Sequence, residues 1–346
     1  MIALELFGAE DEYLWERVGQ GSGTEIHTLF PSTPVGRVSK MELFRAIWKH
    51  LDRLRPQAVV INGYSSWDSW VLLAWCKMKG AFPILMSDSR WDDAPRTALG
   101  EWVKRILVQQ YGAALCAGAP QRKYLESLGM PPDRIFDGYD AVDNQFFGDE
   151  SDKARQSPER YQTLPGLADP RSYFLASGRF IPRKNFSGLL EAYALYRERC
   201  RKGEHDTWRL VLLGDGPQRA SLLNTIQALD LQEDVVLAGV QNIQNLPAYY
   251  GLASAFIHPA LQDQWGLVVN EAMASGLPVL VSKQAGCAVD LVADGVEGFA
   301  FSPEDTAGLA HLMSLMSSGQ VDRDQMGSAA RRKISYWGVE RFSQGL

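Results

Sequence analysis

Two doubly wound α/β domains joined by a broken, polar connection are predicted for this chain, and three observations carry the prediction. Its 346 residues are enough for two domains, and an apolar content of 46% supplies two cores. Short apolar runs alternate with stretches of helical periodicity along most of the length, the pattern of parallel strands and crossover helices. Between residues 149 and 171 the alternation lapses around Pro158, Pro165, Gly166 and Pro170. That stretch reads as the flexible linker that an enzyme closing over its substrate needs.

The first domain is expected over residues 1–148. Residues 2–6 and 25–29 read as strands, 40–55 as an amphipathic helix, and 58–62 as a buried strand ending in the turn Asn62-Gly63. A Trp-rich helix over 67–79 follows, then a strand over 82–86, a helix near 96–110, a strand over 113–116, a helix over 120–128 and a short strand near 134–136. On the 96–110 helix Trp102, Lys104 and Arg105 have two readings: the packed and solvated faces of an amphipathic helix, or a contact with a membrane surface.

The second domain is expected over 172–330. It opens with an apolar strand, 172–177, and the loop Gly178-Arg179-Phe180-Ile181-Pro182-Arg183-Lys184-Asn185, with Asn185 as cap of the next helix. Arg179 and Lys184 lie five residues apart in one strand-to-helix loop. Such a pair suits a diphosphate, because Arg offers a planar fork of donors, Lys a compact charge, and Gly178 allows close backbone approach. Arg183 reads as surface, and Asp215, in Gly214-Asp215-Gly216-Pro217, as part of a tight turn.

Further on, residues 259–282 read PALQDQWGLVVNEAMASGLPVLVS, a polar loop, a helix from about Trp265, and a β-branched strand after Gly276-Leu277-Pro278. Asp263 and Glu271 stand eight residues apart, one in the loop and one in the helix. Gly266 at the helix start leaves the amides of Gly266, Leu267 and Val268 uncovered, and with the helix dipole they offer a seat for phosphate. His258, at the end of the strand before, reads as structural.

This stretch resembles the Glu-x7-Glu signature of the retaining glycosyltransferases of family 4, E-x-F-G-L-V-x-x-E-A-M-A-x-G-x-P-V, matched here from Trp265 to Val268 and from Glu271 to Val279. Asp263 stands where the first Glu is expected, keeping the charge and shortening the reach by one methylene. The loop with Arg179 and Lys184 is similar to the family's G-R-x-x-x-x-K-[GN] motif, residues 138–144 to the loop that closes the first domain, and residues 294–301 to its D-G-x-x-G-x-L segment. The resemblance implies the GT-B fold, two Rossmann-like domains facing a cleft, with a tail over 331–346 crossing back onto the first.

The resemblance also implies roles. Glu271 would bind the ribose hydroxyls of a nucleotide-diphosphate sugar, Asp263 the transferred sugar, and Arg179 and Lys184 the diphosphate. Transfer would retain anomeric configuration, with no metal and no cofactor beyond the sugar nucleotide as co-substrate. In the loop Ser87-Asp88-Ser89-Arg90, Asp88 occupies the region where relatives place a His or Asp near the reacting centre; a turn or helix cap is the other reading. Family members begin with a strand, a Gly-rich loop and a helix. Here the Gly-rich run Gly19–Gly23 follows an acidic segment, so that first βα unit is expected to be missing; the alternative is residues 2–6 as its strand and Gly21-Ser22-Gly23 as its loop.

Composition excludes several other classes. A net charge of −6 argues against a nucleic-acid partner. No apolar run has the length of a membrane span and no signal-peptide pattern is seen, so the expected location is the cytoplasm, with peripheral contact at the inner membrane face left open. Cys76, Cys116, Cys200 and Cys287 form no CxxC pair, and the five histidines no HExxH. The expected acceptor is the hydroxyl of a glycan, a lipid-linked sugar or a small molecule. Two alternatives are a GT-B relative of another reaction type, an epimerase or phosphorylase, and a non-catalytic donor-binding protein.

Overall fold

The structure, a computed structural model, describes residues 2–8, 25–33, 37–203 and 206–345. The glycine run Gly19–Gly23 lies outside the described residues. The chain divides into two compact units, one comprising Met1–Ser87, Arg96–Leu115 and Leu125–Phe136, the other Asp88–Pro95, Cys116–Tyr124 and Asp137–Leu346. Two short stretches from the first half of the sequence, a loop and the segment that opens the helix Ala119–Ser127, therefore belong to the second unit.

In the first unit, β1 (Ile2–Phe7) pairs in parallel with β2 (Glu25–Phe30) as a separate two-stranded sheet. Helix α1 (Lys40–Leu54) starts at a capping box in which Ser39 and Glu42 satisfy each other's backbone amides. There follow β3 (Ala58–Asn62), α2 (Trp67–Lys79), β4 (Phe82–Ser87), α3 (Ala98–Val108), β5 (Ala113–Cys116), α4 (Ala119–Ser127) and β6 (Ile135–Asp137), with the strands in the order β3-β4-β5-β6.

Helix α3 is amphipathic in the inverted sense. Leu99, Trp102, Val103 and Ile106, at spacings of three, four and seven, are 71%, 58%, 42% and 42% exposed. Glu101, by contrast, is partly buried and bridges Lys104 (2.8 Å) and Arg96 (3.5 Å). The packed reading of Trp102 is thus corrected. Lys104 lies in that ion-pair group, and Arg105 donates to the carbonyl of Ser127 at 3.0 Å.

The second unit contains α5 (Asn144–Gln156), β7 (Tyr173–Ser177), α6 (Phe186–Gly203), β8 (Arg209–Leu213), α7 (Arg219–Ala228), β9 (Val235–Gly239), α8 (Leu246–Leu252), β10 (Ala255–His258), α9 (Leu267–Ala274), β11 (Val279–Ser282), α10 (Ala288–Leu291), β12 (Gly298–Phe301), α11 (Thr306–Ser317), α12 (Arg323–Ile334) and α13 (Val339–Gly345). Its parallel sheet runs β12-β11-β10-β7-β8-β9. The chain enters at β7, builds β8 and β9 to one side, then returns to lay β10, β11 and β12 on the other. Both faces are covered, and alternate residues show it: Tyr173, Leu175, Val211 and Leu213 enter one core with α8 and α9, while Phe174, Ala176, Leu210 and Leu212 enter the other with α6, α7 and α11.

The stretch from 149 onward is helical through Gln156 rather than a broken linker. On α5 the buried Ser151 hydroxyl lies 3.0 Å from the carbonyl of Pro247 and 2.9 Å from the hydroxyl of Ser275, and Arg331 of α12 holds Asp152 with two nitrogens at 2.8 and 2.6 Å. Few apolar residues mark α5, so its period is hard to see; Phe147 packed on Tyr250 of α8 and tertiary hydrogen bonds to Ser275 and Arg331 hold it. A second such element is α8, a short helix with Pro247 at its start, too brief for its period to show.

Candidate active site

In an open parallel sheet, ligands gather beyond the carboxyl ends of the strands where the order reverses. Here that point lies between β7 and β10, the two strands that start the opposite halves. The loop after β7 carries Arg179 and Lys184, and the loop after β10 carries Asp263, so chain topology alone brings residues 79 positions apart together. The Lys184 ammonium bonds Oδ2 of Asp263.

Asp263 is held through one carboxylate oxygen and through its own carbonyl. The same Oδ2 lies 2.9 Å from Nε2 of His258, and among the described residues nothing bonds Oδ1. Its own carbonyl accepts from Arg90 Nη1 at 3.1 Å and from the amide of Gly286 at 3.0 Å. Burial by itself would raise the carboxyl pKa, but His258 and Lys184 outweigh it and keep Asp263 well below the ordinary carboxylate range.

The strand-to-helix loops are shaped by glycines. Gly214 has φ +123°, and a Cβ there would stand 2.0 Å from the carbonyl oxygen of Gly178, so the loops after β7 and β8 nest only because residue 214 has no side chain. The same nesting lets the amide of Phe180 donate to Asp215 (2.9 Å), which fixes the backbone beside Arg179; Arg179 itself is exposed. Asp215 is a turn residue whose Oδ1 accepts from the next amide, Gly216, at 2.7 Å. Asn185 has φ +58°, and its side-chain amide donates to the carbonyls of Pro259 and Pro303, both at 3.1 Å. It therefore ties the cationic loop to the signature loop.

Gly266, at φ +107°, precedes α9, and among the described residues the amides of Gly266, Leu267 and Val268 donate to no backbone oxygen. Glu271 lies one turn further along, where Tyr250 of α8 donates to its Oε2 at 2.6 Å. Burial pushes the Glu271 carboxyl up to about 7, the tyrosine hydroxyl opposing. The two signature carboxylates thus differ in kind: Asp263 is a held anion, and Glu271 titrates near neutrality.

Asp88 sits in the loop counted with this unit. Gln264 Nε2 is 3.4 Å from its Oδ1, and burial raises its pKa, as do the charges of Asp93 and Asp263. The neighbouring Arg90, buried, reaches the carbonyls of Asp263 and Gln284 (2.9 Å) and pairs with Asp92 at 2.5 Å, so it stitches this loop to the signature loop. Asp140 joins the group: its pKa is raised to about 7 by burial and by the charges of Asp88 and Asp263, and its buried Oδ2 takes no hydrogen bond among the described residues.

Sequence reasoning missed Arg90, Asp140 and Tyr250 and read His258 as structural only. Arg90 and His258 each had a signal, a polar residue at or just past the carboxyl end of an apolar strand; Tyr250 had none. The four cysteines are separate, buried thiols. No group of three or more metal-ligating side chains occurs among the described residues, and no described helix is long and apolar enough to cross a membrane.

Residues 161–333 match the family of glycosyl transferases group 1. An exopolysaccharide phosphotransferase of Streptomyces coelicolor is 31% identical over 144 residues, 41% of this chain and 14% of that protein, so the chain spans only a small part of such a relative. Among solved structures, a sucrose-phosphate synthase of Thermosynechococcus elongatus superposes with a TM-score of 0.76 at 16% identity, covering 99% of this chain and 87% of the other. Anabaena HepE, solved with UDP and glucose, gives 0.71 at 17% identity, covering 92% and 84%. These likenesses establish the GT-B fold.

Proposed function

Because the chain belongs to the group 1 glycosyl transferases, we propose that it moves a sugar from a nucleotide-diphosphate sugar to an acceptor hydroxyl, with retention, as a family 4 enzyme. The observation that carries this reading is the Asp263 carboxylate, bonded by His258 and Lys184, in the loop that leads to the uncovered amides at the start of α9.

When the anomeric C–O bond of such a donor breaks, positive charge develops on the sugar and negative charge on the departing diphosphate. Arg179 and the α9 amides supply cationic and dipolar partners for the diphosphate. Lys184 has three donors, of which Asp263 takes one, so the ammonium can bridge carboxylate and phosphate. Glu271 accepts from the ribose hydroxyls, and Asp263, through Oδ1, from a hydroxyl of the sugar. Asp88, whose pKa is raised, faces the reacting end. No metal is needed for this division of labour.

The acceptor is a glycan, a lipid-linked sugar or a small molecule; the relatives named above, one for exopolysaccharide and one for sucrose phosphate, support both a polymer and a small acceptor. A cytoplasmic enzyme resting on the inner membrane face fits the exposed apolar stripe of α3. Calorimetric titration with UDP, GDP, ADP and their sugars, with and without magnesium, tests the donor site: metal-independent binding of one nucleotide, lost in Arg179→Ala and Glu271→Ala, is the expected result. Binding of none of them overturns the reading. Donor turnover without an acceptor, or dependent on free phosphate, would assign an epimerase or a phosphorylase, and binding without any turnover a non-catalytic protein.

A further inference from the structure

Resting on that donor-site reading, we propose that His258 is a positioning residue, which orients the Asp263 carboxylate by occupying its Oδ2 and so reserves Oδ1 for a hydroxyl of the transferred sugar. His258 is the last residue of β10 and only 1% exposed. Its strand is paired on both sides, to β7 and β11, with His258 itself in register with Val281, so the ring hangs from backbone held in the middle of the sheet. Nε2 lies 2.9 Å from Oδ2 and must carry the proton to donate to it.

Two donors meet on one carboxylate oxygen, and they differ in what they can fix. Lys184 brings a mobile ammonium on a four-carbon stem, which neutralises charge without setting orientation. An imidazole on a central strand has only two torsions and sets a direction. The division matters because Lys184 is also the cation facing the diphosphate. Should the ammonium shift toward phosphate when donor binds, His258 keeps Asp263 in place.

A second observation registers the ring to the phosphate seat. A Cβ at Gly266 would stand 3.1 Å from His258 Nε2 and 3.5 Å from Cys287 Sγ, so the imidazole packs directly under the residue that opens α9. One side chain therefore bonds the carboxylate proposed for the sugar and fills the space beside the residue that opens the proposed diphosphate seat. Asp263 is a methylene shorter than the glutamate of the family signature, and a shorter arm leaves less freedom to correct a misplaced carboxylate.

The test measures, by calorimetry, the ratio of nucleotide-sugar to nucleotide affinity for whichever base the wild-type chain binds, across glucose, galactose and N-acetylglucosamine donors. His258→Phe keeps the ring volume and removes the donor; His258→Gln restores an N–H near the position of Nε2. The expected result is a ratio lowered about tenfold in His258→Phe, the worth of one charge-assisted hydrogen bond, with nucleotide affinity within about twofold of wild type. His258→Gln should return most of the ratio, and His258→Phe combined with Asp263→Asn should lose no more than Asp263→Asn alone. A wild-type ratio in His258→Phe, no recovery in His258→Gln, or additive losses in the double variant each overturn the inference while leaving the donor site intact. If His258→Phe does not fold, His258→Leu, which also lacks the donor, is read in its place by the same criteria. A wild-type chain that binds no member of the panel overturns the donor-site reading itself.

Discussion

The two compact units dispose of their apolar surface in opposite ways. In the second, every residue of β8, β10 and β11 is buried and helices cover both faces of the sheet. In the first, α3 turns Leu99, Trp102, Val103 and Ile106 to solvent, and Val60 of β3 and Phe82 of β4 are 38% and 49% exposed. The contrast teaches where rigidity is spent. The groups that the proposed function sets against a diphosphate and a sugar sit on loops clamped by a doubly covered sheet. The α3 stripe, for which the proposed function asks only adhesion, leaves its apolar side chains open.

The contrast can be broken most decisively through stability. Phe174→Ala, in a fully packed core, should cost about 3–5 kcal/mol by denaturant unfolding. Trp102→Ala should change stability by no more than about 0.5 kcal/mol, because an exposed ring leaves no cavity. A comparable loss at both positions would show that α3 is covered after all.

Next in size are effects on the clamped loops. Lys184→Ala should lower turnover about a hundredfold, roughly 2.7 kcal/mol of transition-state stabilisation, with only a small change in melting temperature. Equal losses of turnover and stability would make the ion pair with Asp263 a structural one. Glu271→Ala should weaken nucleotide binding by roughly 1.5–3 kcal/mol for each charge-assisted hydrogen bond lost; unchanged affinity would remove its ribose role.

A subtler effect follows from the Glu271 carboxyl at about 7. Its folded pKa lies above the ordinary value of 4.5, so the stability it lends the ligand-free chain is present at low pH and declines as pH rises from that value to about 7. In the proposed ribose role nucleotide binding needs the carboxylate, so affinity should run the other way, climbing between about pH 6 and 7 and levelling above. In Glu271→Gln the part of the slope due to this group should vanish; the same slope in the variant would assign it elsewhere. The smallest expected effect concerns adhesion: Trp102→Ala should weaken sedimentation with anionic phospholipid vesicles by about 1–2 kcal/mol, the loss of one buried aromatic side chain. Wild-type protein that stays in the supernatant would make the α3 stripe a protein contact instead.

Much of this was legible in the residues. Strands β3 and β5 and helix α2 have the bounds their apolar runs suggest, but β3, expected to be buried, is covered only at Ile61, because an apolar run marks a strand without saying which of its faces another element will cover. The spacing of Arg179 and Lys184, and of Asp263 and Glu271, was equally open to reading, since each pair belongs to one loop-and-helix segment. Helix α5 was not, because its hold comes from Ser275, Pro247 and Arg331, residues far away in sequence.

What the sequence determined alone is therefore the inventory: two α/β units, cations in the loop after β7, carboxylates around the start of α9. Local periodicity and short spacings encode these, and both act over a few residues. Only the tertiary structure decided that Lys184 and His258 share one oxygen of Asp263, that Tyr250 sits against Glu271, that Arg90 and Asp140 belong to the same site, and that α3 faces outward. Those relations depend on which strands become neighbours in the sheet and on what is left uncovered. Hydrogen bonds and burial between distant segments set them, and no short stretch of sequence carries that information.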